Sequence, residues 1–282
     1  MLTIFSKQQQ ISYKAYLISK ATLFRVLCVS ITVVAPLIIS ARIGRGLWIR
    51  ESTFREQPIS SLTGNYLVEL STSKSVISWN TFTSQSDSRN SNIPVLKTYY
   101  NDHNNDGRAD EVYLEWLFSL NDNVHSVNIA AEMMYDIRIM QDIKFRGLLT
   151  AHHSSLSSLS AIEISGDSAF VQRNPILATG DDFTFNKKTL NTVYSLVDDL
   201  ETYFNRNYTA KLINTNIIPQ RGQSNEFTIK FKIRLPEQII YYKPGFYEEL
   251  KSGIVNYVSF LVVFIYSFKQ IQTYMFERQS ST

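Results

Sequence analysis

Two apolar runs, one near each end of the 282-residue chain, limit what it can fold into. Residues 21–41 read ATLFRVLCVSITVVAPLIISA, with Arg25 as their only charged side chain. The hydrocarbon core of a bilayer takes roughly 20 residues of helix, and this run supplies them. Arg25 lies one turn from the amino end, where its long side chain reaches the interface. Pro36 would kink the helix, which membrane helices tolerate better than soluble ones. A polar lead of about twenty residues and a poor cleavage motif at Ile39-Ser40-Ala41 favour a retained anchor over a cleaved signal. Residues 252–268 read SGIVNYVSFLVVFIYSF, uncharged between Lys251 and Lys269, with Tyr257 and Tyr266 suited to the interfacial belts. This run is short for a span, so its helix is expected to begin before Ser252. The competing reading is the buried core helix of a soluble domain.

The layout that follows is a cytosolic tail (1–20), a first transmembrane helix (21–43), an extracellular or lumenal domain (44–250), a second helix (251–269) and a cytosolic tail (270–282). Basic residues flank the first run on both sides, Lys14 and Lys20 before it and Arg42, Arg45 and Arg50 after it. The positive-inside rule therefore leaves the orientation open, and two weaker signals decide it.

The first is DHNNDGRAD at 102–110. Asp102, Asn104 and Asp106 offer side-chain oxygens at alternate positions, Arg108 offers a backbone carbonyl, and Asp110 closes the ring. Gly107 permits the sharp turn. Hard oxygen donors in a flexible ring suit Ca²⁺ better than Mg²⁺. Position twelve of the loop is Tyr113 rather than a bidentate Glu, so binding should be weak, in the range of about 10⁻⁴–10⁻³ M found for extracellular modules. The same residues also compose an ordinary Asn/Asp/Gly turn with no metal. The second signal is Asn207-Tyr208-Thr209, a glycosylation acceptor in a polar stretch. Such triplets arise by chance, but both signals place the middle of the chain outside the cytosol.

That middle reads mainly as strands. Phe227, Ile229, Phe231, Ile233 and Leu235 alternate with polar residues, the pattern of a half-buried strand. Val112, Leu114, Trp116 and Phe118 do the same, after an extended run from Ile93 to Tyr100. Residues 127–141 alternate less cleanly; 66–70, 76–79 and 162–171, the last around a turn at Gly166-Asp167, add further strands. Ser84–Asn92 and Ser154–Ser160 read as polar loops. Leu190, Val193, Tyr194, Val197, Leu200 and Phe204 follow helical spacing over 188–205. The expected fold is a mainly β domain, antiparallel and β-sandwich-like with one amphipathic helix, between two transmembrane helices.

Function classes narrow by what is lacking in the sequence. A net charge of +3 gives no basis for nucleic acid as a partner. The single cysteine, Cys28, allows no internal disulfide and sits in the first apolar run. There is no zinc-binding helix motif, phosphate-cradling glycine loop or nucleophile elbow, and His152-His153 would point to opposite faces of a strand. No catalytic residue and no small-molecule substrate is expected. Ser30, Thr32, Ser40, Ser252, Gly253 and Ser259 are small or hydroxyl positions suited to packing between membrane helices.

SYKAYLISKATLF (12–24), GLWIRESTFREQP (46–58), ISWNTF (77–82), DHNNDGRAD, RNYT (206–209) and YKPGFYEELKSGIVNYVSFLVVF (242–264) occur in this order around the two apolar runs. Together they make the chain similar to the transmembrane protein 231 family, components of the ciliary transition zone; residues 142–200 resemble it least. The resemblance implies a non-catalytic two-pass subunit of the Meckel syndrome module. Its partners would be tectonics, B9-domain proteins, other transition-zone membrane proteins and membrane lipid. Its work would be cilium assembly and the barrier that controls ciliary membrane composition. Use of calcium is not part of what the resemblance implies. Two other readings stand beside it: an accessory or chaperone subunit of a transporter, and a calcium-dependent extracellular binding module. The segments 46–58 and 242–251 adjoin the helices and are expected to meet, with Trp48, Phe54, Tyr241, Tyr242, Phe246 and Tyr247 near the headgroups.

Overall fold

The computed structural model describes residues 16, 18–43, 49–81, 93–120, 122–177, 180–187, 189 and 196–279. The chain divides into two units, one formed by the terminal segments and one by Glu51–Pro244.

The terminal unit holds helices α1 (Lys20–Ile43) and α3 (Phe246–Gln279). Ser19 caps α1, its Oγ accepting from the backbone N–H of Thr22 at 3.3 Å. Pro244-Gly245 precedes α3, whose first turn carries Glu248 and Glu249, a favourable charge for a helix amino terminus. Both helices are long and apolar enough to cross a membrane, over Lys20–Arg42 and Phe246–Met275. They pack on each other through a narrow stripe. Cys28, Pro36 and Ser40 of α1 and Gly253 of α3 are buried, whereas Val26, Val33, Val34, Val262 and Val263 are exposed. Of the small residues expected between helices, Ser40 and Gly253 are buried and Ser30 and Ser259 are exposed.

The central unit is mainly β. Its strands are β1 (Ser52–Glu56), β2 (Ile59–Thr72), β3 (Val76–Asn80), β4 (Val95–Asn101), β5 (Glu111–Ser119), β6 (Val124–Ile137), β7 (Asp142–Gln172), β8 (Ile176–Leu177), β9 (Asp181–Asp182), β10 (Tyr208–Arg221), β11 (Glu226–Arg234) and β12 (Gln238–Lys243), with helix α2 (Leu196–Phe204) before β10. Nine strands make one sheet along the path β3-β2-β6-β7-β11-β5-β4, with β9 and β10 added on β7. The sheet curls until Tyr100 on β4 accepts a hydrogen bond from the backbone of Leu62 on β2. Pairing is largely antiparallel, but β11 runs parallel to β7. A second sheet, β1-β12-β8, joins the chain where it enters and leaves the unit. The segment 46–58 thus pairs with residues 238–242, from Ser52 opposite Tyr242 to Glu56 opposite Gln238, and touches the expected partner segment 242–251 only at Tyr242. Tyr241, Phe246 and Tyr247 are exposed. Phe54 and Tyr242 instead turn inward, ring against ring at 5.6 Å; Trp48 lies outside the described residues.

The alternation in β5 and β11 places Val112, Leu114, Trp116, Phe118, Phe227, Ile229, Phe231 and Ile233 in the core. Each large side chain so buried contributes about 2 kcal/mol. Tyr66 meets Trp116 edge-on at 5.5 Å, and Tyr135 stacks on Phe145 at 5.0 Å. β6 breaks strict alternation because both of its faces are covered: Met133 and Tyr135 face the main core, and Ala130 faces Tyr203 of α2.

Three local expectations change. Ser154–Ser160 is not a loop and Gly166-Asp167 is not a turn, since β7 runs straight through both. The serines lie where β7 leaves β6 and takes up β10 and β11, and small polar side chains suit a stretch with Leu156 fully exposed. Gly166 serves close approach instead: a Cβ there would lie 2.8 Å from Leu212 of β10. In the helix, described from Leu196, Tyr203 is the buried anchor and Phe204 is exposed. Leu190, Val193 and Tyr194 lie outside the described residues, as does the Ser84–Asn92 loop.

Gly147 on β7 is tighter still, with a Cβ placed 2.4 Å from that of Ala210 and 2.7 Å from the Tyr135 ring. Gly147→Ala is expected to destabilise the protein by about 1–3 kcal/mol or to displace the Tyr135 ring, read as a lowered thermal midpoint in detergent micelles.

Candidate functional site

The 102–110 loop joins β4 to β5 and is built from its own side chains. Asp102 Oδ2 accepts from Gly107 N at 2.9 Å, Asn104 Oδ1 from Asp106 N at 3.0 Å, and Asp106 Oδ1 from Arg108 N at 2.8 Å. Asp110 Oδ2 accepts from His103 N at 2.8 Å. Gly107 and Asn105 take left-handed φ values of 81° and 56°, as such a tight turn requires. The donor set is chemically right for Ca²⁺, all hard oxygen. In this arrangement, however, the carboxylates turn to backbone N–H groups. Among the described residues, no three of His, Cys, Asp or Glu converge as they would around a metal ion.

What the loop does hold is the rest of the domain. Gln57, between β1 and β2, donates to Asp110 Oδ1 at 3.0 Å, to the Ala109 carbonyl at 3.3 Å and to the Leu235 carbonyl at 3.0 Å. Arg108 Nη1 donates to the Gln57 carbonyl at 2.6 Å, and Leu235 N to the Asp110 carbonyl at 2.8 Å. The Gln57 amide, followed by the His103 backbone N–H, holds the Asp110 carboxyl below its ordinary range. Loop, β1–β2 corner and β11–β12 corner are therefore one knot, located where the small sheet hands over to the large one. Nearby, buried Glu56 accepts from the backbone N–H groups of Arg138 and Ile139 at 3.0 and 3.1 Å. This caps the turn between β6 and β7.

A second polar centre was not anticipated from the sequence. Glu132 on β6 is fully buried. Its Oε2 accepts from Asn65 Nδ2 at 2.7 Å, Thr63 Oγ1 at 2.8 Å and Arg146 Nη1 at 3.3 Å; Oε1 accepts from Thr189 N at 2.8 Å. Thr63 and Asn65 reach it because β2 bulges between Leu62 and Tyr66. Burial alone would raise the Glu132 pKa; hydrogen bonds from Asn65, Thr189 and Thr63 outweigh it and hold the carboxyl below its ordinary 4.5. Beside this centre, Tyr203 fastens α2 to the sheet: its hydroxyl accepts from Leu148 N at 2.8 Å and Ala210 N at 3.0 Å. The one sequence signal for Glu132 is its place in AAEMM, an apolar run where an acid needs partners.

Asn207 lies between α2 and β10 and is half-buried. Its Oδ1 accepts from Asn174 N at 3.0 Å, which leaves Nδ2, the atom a glycan would join, without a partner among the described residues. Thr209 of the same triplet is buried. The structure brings Asp102, Asn104, Asp106, Arg108 and Asp110 together in one loop, while Asn207 belongs to a different part of the fold. His152 is exposed and His153 half-buried, the alternation expected of a strand.

Glu132→Ala is expected to cost about 3–5 kcal/mol, because Arg146 loses its buried partner. With its folded pKa below the unfolded value, Glu132 contributes fully above about pH 4.5 and loses that contribution as pH falls through the folded value. Thermal midpoints from pH 7 to 3.5 should converge for wild type and Glu132→Gln at the acid end. Gln57→Ala should cost about 1–3 kcal/mol through the carbonyls it leaves unpaired, measured in the same way.

The transmembrane protein 231 family model matches residues 1–282. Transmembrane protein 231 of Xenopus tropicalis is 29% identical over 99% of this chain and 94% of its own length. The Mus musculus and Homo sapiens proteins are each 28% identical over 99% of this chain and 93% of theirs. A cryo-EM structure of a proton-activated chloride channel aligns over 91% of this chain at 6% identity, with a TM-score of 0.24 that is too low to bear on the fold. With a match along its whole length and two helices fit to span a bilayer, the chain belongs to the transmembrane protein 231 family and is a two-pass membrane protein.

Proposed function

We propose that the protein is a non-catalytic membrane subunit of the ciliary transition zone, acting in cilium assembly and in the diffusion barrier at the ciliary base. Its termini lie in the cytosol and its β domain faces outward. Tectonics, B9-domain proteins and other transition-zone membrane proteins are its partners. The observation that carries this reading is the family match over the whole chain. The architecture supports it: two apolar helices and a β unit whose polar centres fasten strands to one another.

For the 102–110 loop we propose a mechanical role, clasping the β1–β2 and β11–β12 corners through Gln57. Weak Ca²⁺ binding is the alternative that calcium titration decides. A rise in thermal midpoint of a few degrees at millimolar Ca²⁺, abolished by Asp106→Asn, assigns the loop to the cation. No rise leaves it as the clasp.

An epitope-tagged copy is expected to form a ring at the base of cilia. Diffuse reticular or plasma-membrane signal would instead favour the transporter-subunit reading. In sealed vesicles, the β domain should resist protease added on the cytosolic side while both tails are cleaved.

A further inference from the structure

The small sheet β1-β12-β8 has one face turned to the core and one turned out. Phe54, Glu56, Ile240, Tyr242 and Ile176 are buried or half-buried. The outward face carries Thr53, Arg55, Ile239, Tyr241, Lys243 and Leu177, with Thr53 opposite Tyr241, Arg55 opposite Ile239 and Lys243 opposite Leu177. Ile239, Tyr241 and Leu177 are 50%, 49% and 62% exposed, so apolar surface lies open between two cations. Neither Arg55 nor Lys243 has an ion-pair partner among the described residues, and none of the six positions is acidic. The face is braced from behind. Gln172 of β7 donates to the Tyr241 carbonyl at 2.9 Å and accepts from Tyr241 N at 2.8 Å. Gln238 accepts from Phe170 N at 3.1 Å and donates to the Ser168 carbonyl at 2.8 Å.

Chain connectivity selects the occupant. Lys243 ends β12, and α3 starts at Phe246. The extended link and the first helical turns before the uncharged run at Ser252 together reach at most roughly 20 Å. A tether this short keeps the face within reach of the headgroup layer that α3 crosses. Exposed aliphatic groups, a tyrosine and unpaired cations are the combination that layer accepts: rings and aliphatics at the acyl boundary, cations on phosphate. We propose that the outward face of the β1-β12-β8 sheet is a docking surface for phospholipid headgroups of the membrane spanned by α3. The proposal rests on α3 crossing that bilayer and not on the ciliary reading.

The test uses the full chain with Cys28→Ala, in nanodiscs of phosphatidylcholine and phosphatidylserine. A single Ile239→Cys or Tyr241→Cys carries an environment-sensitive fluorophore. The reference is Val76→Cys on β3, 62% exposed and beside the far end of β2, a strand about 45 Å long. Headgroup-nitroxide lipid should quench positions 239 and 241 at least about threefold more than position 76. Arg55→Glu with Lys243→Glu should lower the docked population about tenfold or more. Equal quenching at 76, 239 and 241 overturns the proposal. So does a label shielded from aqueous iodide but untouched by the nitroxide lipid, because protein then covers the face. The labelled positions are exposed, so neither substitution removes a core contact, and either one alone decides the question.

Discussion

A strand of 31 residues cannot lie flat, and β7 is the constraint on which the domain rests. Twist accumulates along it, so that its first half pairs with β6 and its second half lies between β10 and β11. One strand therefore carries neighbours at both ends of the curled sheet. Trp116 and Tyr66 meet in the space that this curl encloses. Gly147 and Gly166 fall where β7 presses closest on its neighbours. A sheet curled in this way holds its shape without a disulfide, in keeping with a chain whose single cysteine lies in α1.

Hydrophobic burial explains why the sheet curls onto a core, but not why its strands keep their register. Polar side chains supply that. Glu132 ties β2, β6, β7 and the segment at Thr189, and Gln57 ties both corners of the small sheet to the 102–110 loop. Each is a case in which loss of one partner costs more than the bond is worth, because the groups left behind stay buried. The acidic loop thus acquires a structural role from its contacts, independent of any cation.

The parts of this fold that could be read from the sequence are those with one buried face. In β5 and β11 the alternation is unbroken, because one side meets the core and the other does not. The membrane helices were legible through length and scarcity of charge, Arg25 being the one charged side chain in the two apolar runs. β7 was not, because serine runs and Gly-Asp pairs carry turn chemistry in general and strand chemistry only when neighbouring strands cover them. The apolar spacing of α2 included Phe204, which is exposed, and passed over Tyr203, since periodicity does not tell that the Tyr203 hydroxyl finds two backbone N–H groups. Glu132 and Gln57 stayed hidden for a related reason: their partners are 14 to 178 residues away in the chain, and no local pattern encodes such distance.

The stripe between α1 and α3 has a further consequence. Cys28, Ser40 and Gly253, the residues that allow helix backbones to come close, are already enclosed within the chain's own hairpin. Around the outside stand valines, isoleucines and leucines, and the hydroxyl of Ser259 is returned to the Val255 carbonyl of its own helix. A neighbouring membrane protein therefore meets a bulky, largely non-polar cylinder on which Asn256 and Tyr266 of α3 are exposed polar side chains. Recognition inside the bilayer then rests on shape and on those few polar groups, and the remaining selectivity among companions passes to the parts of the molecule that stand in water.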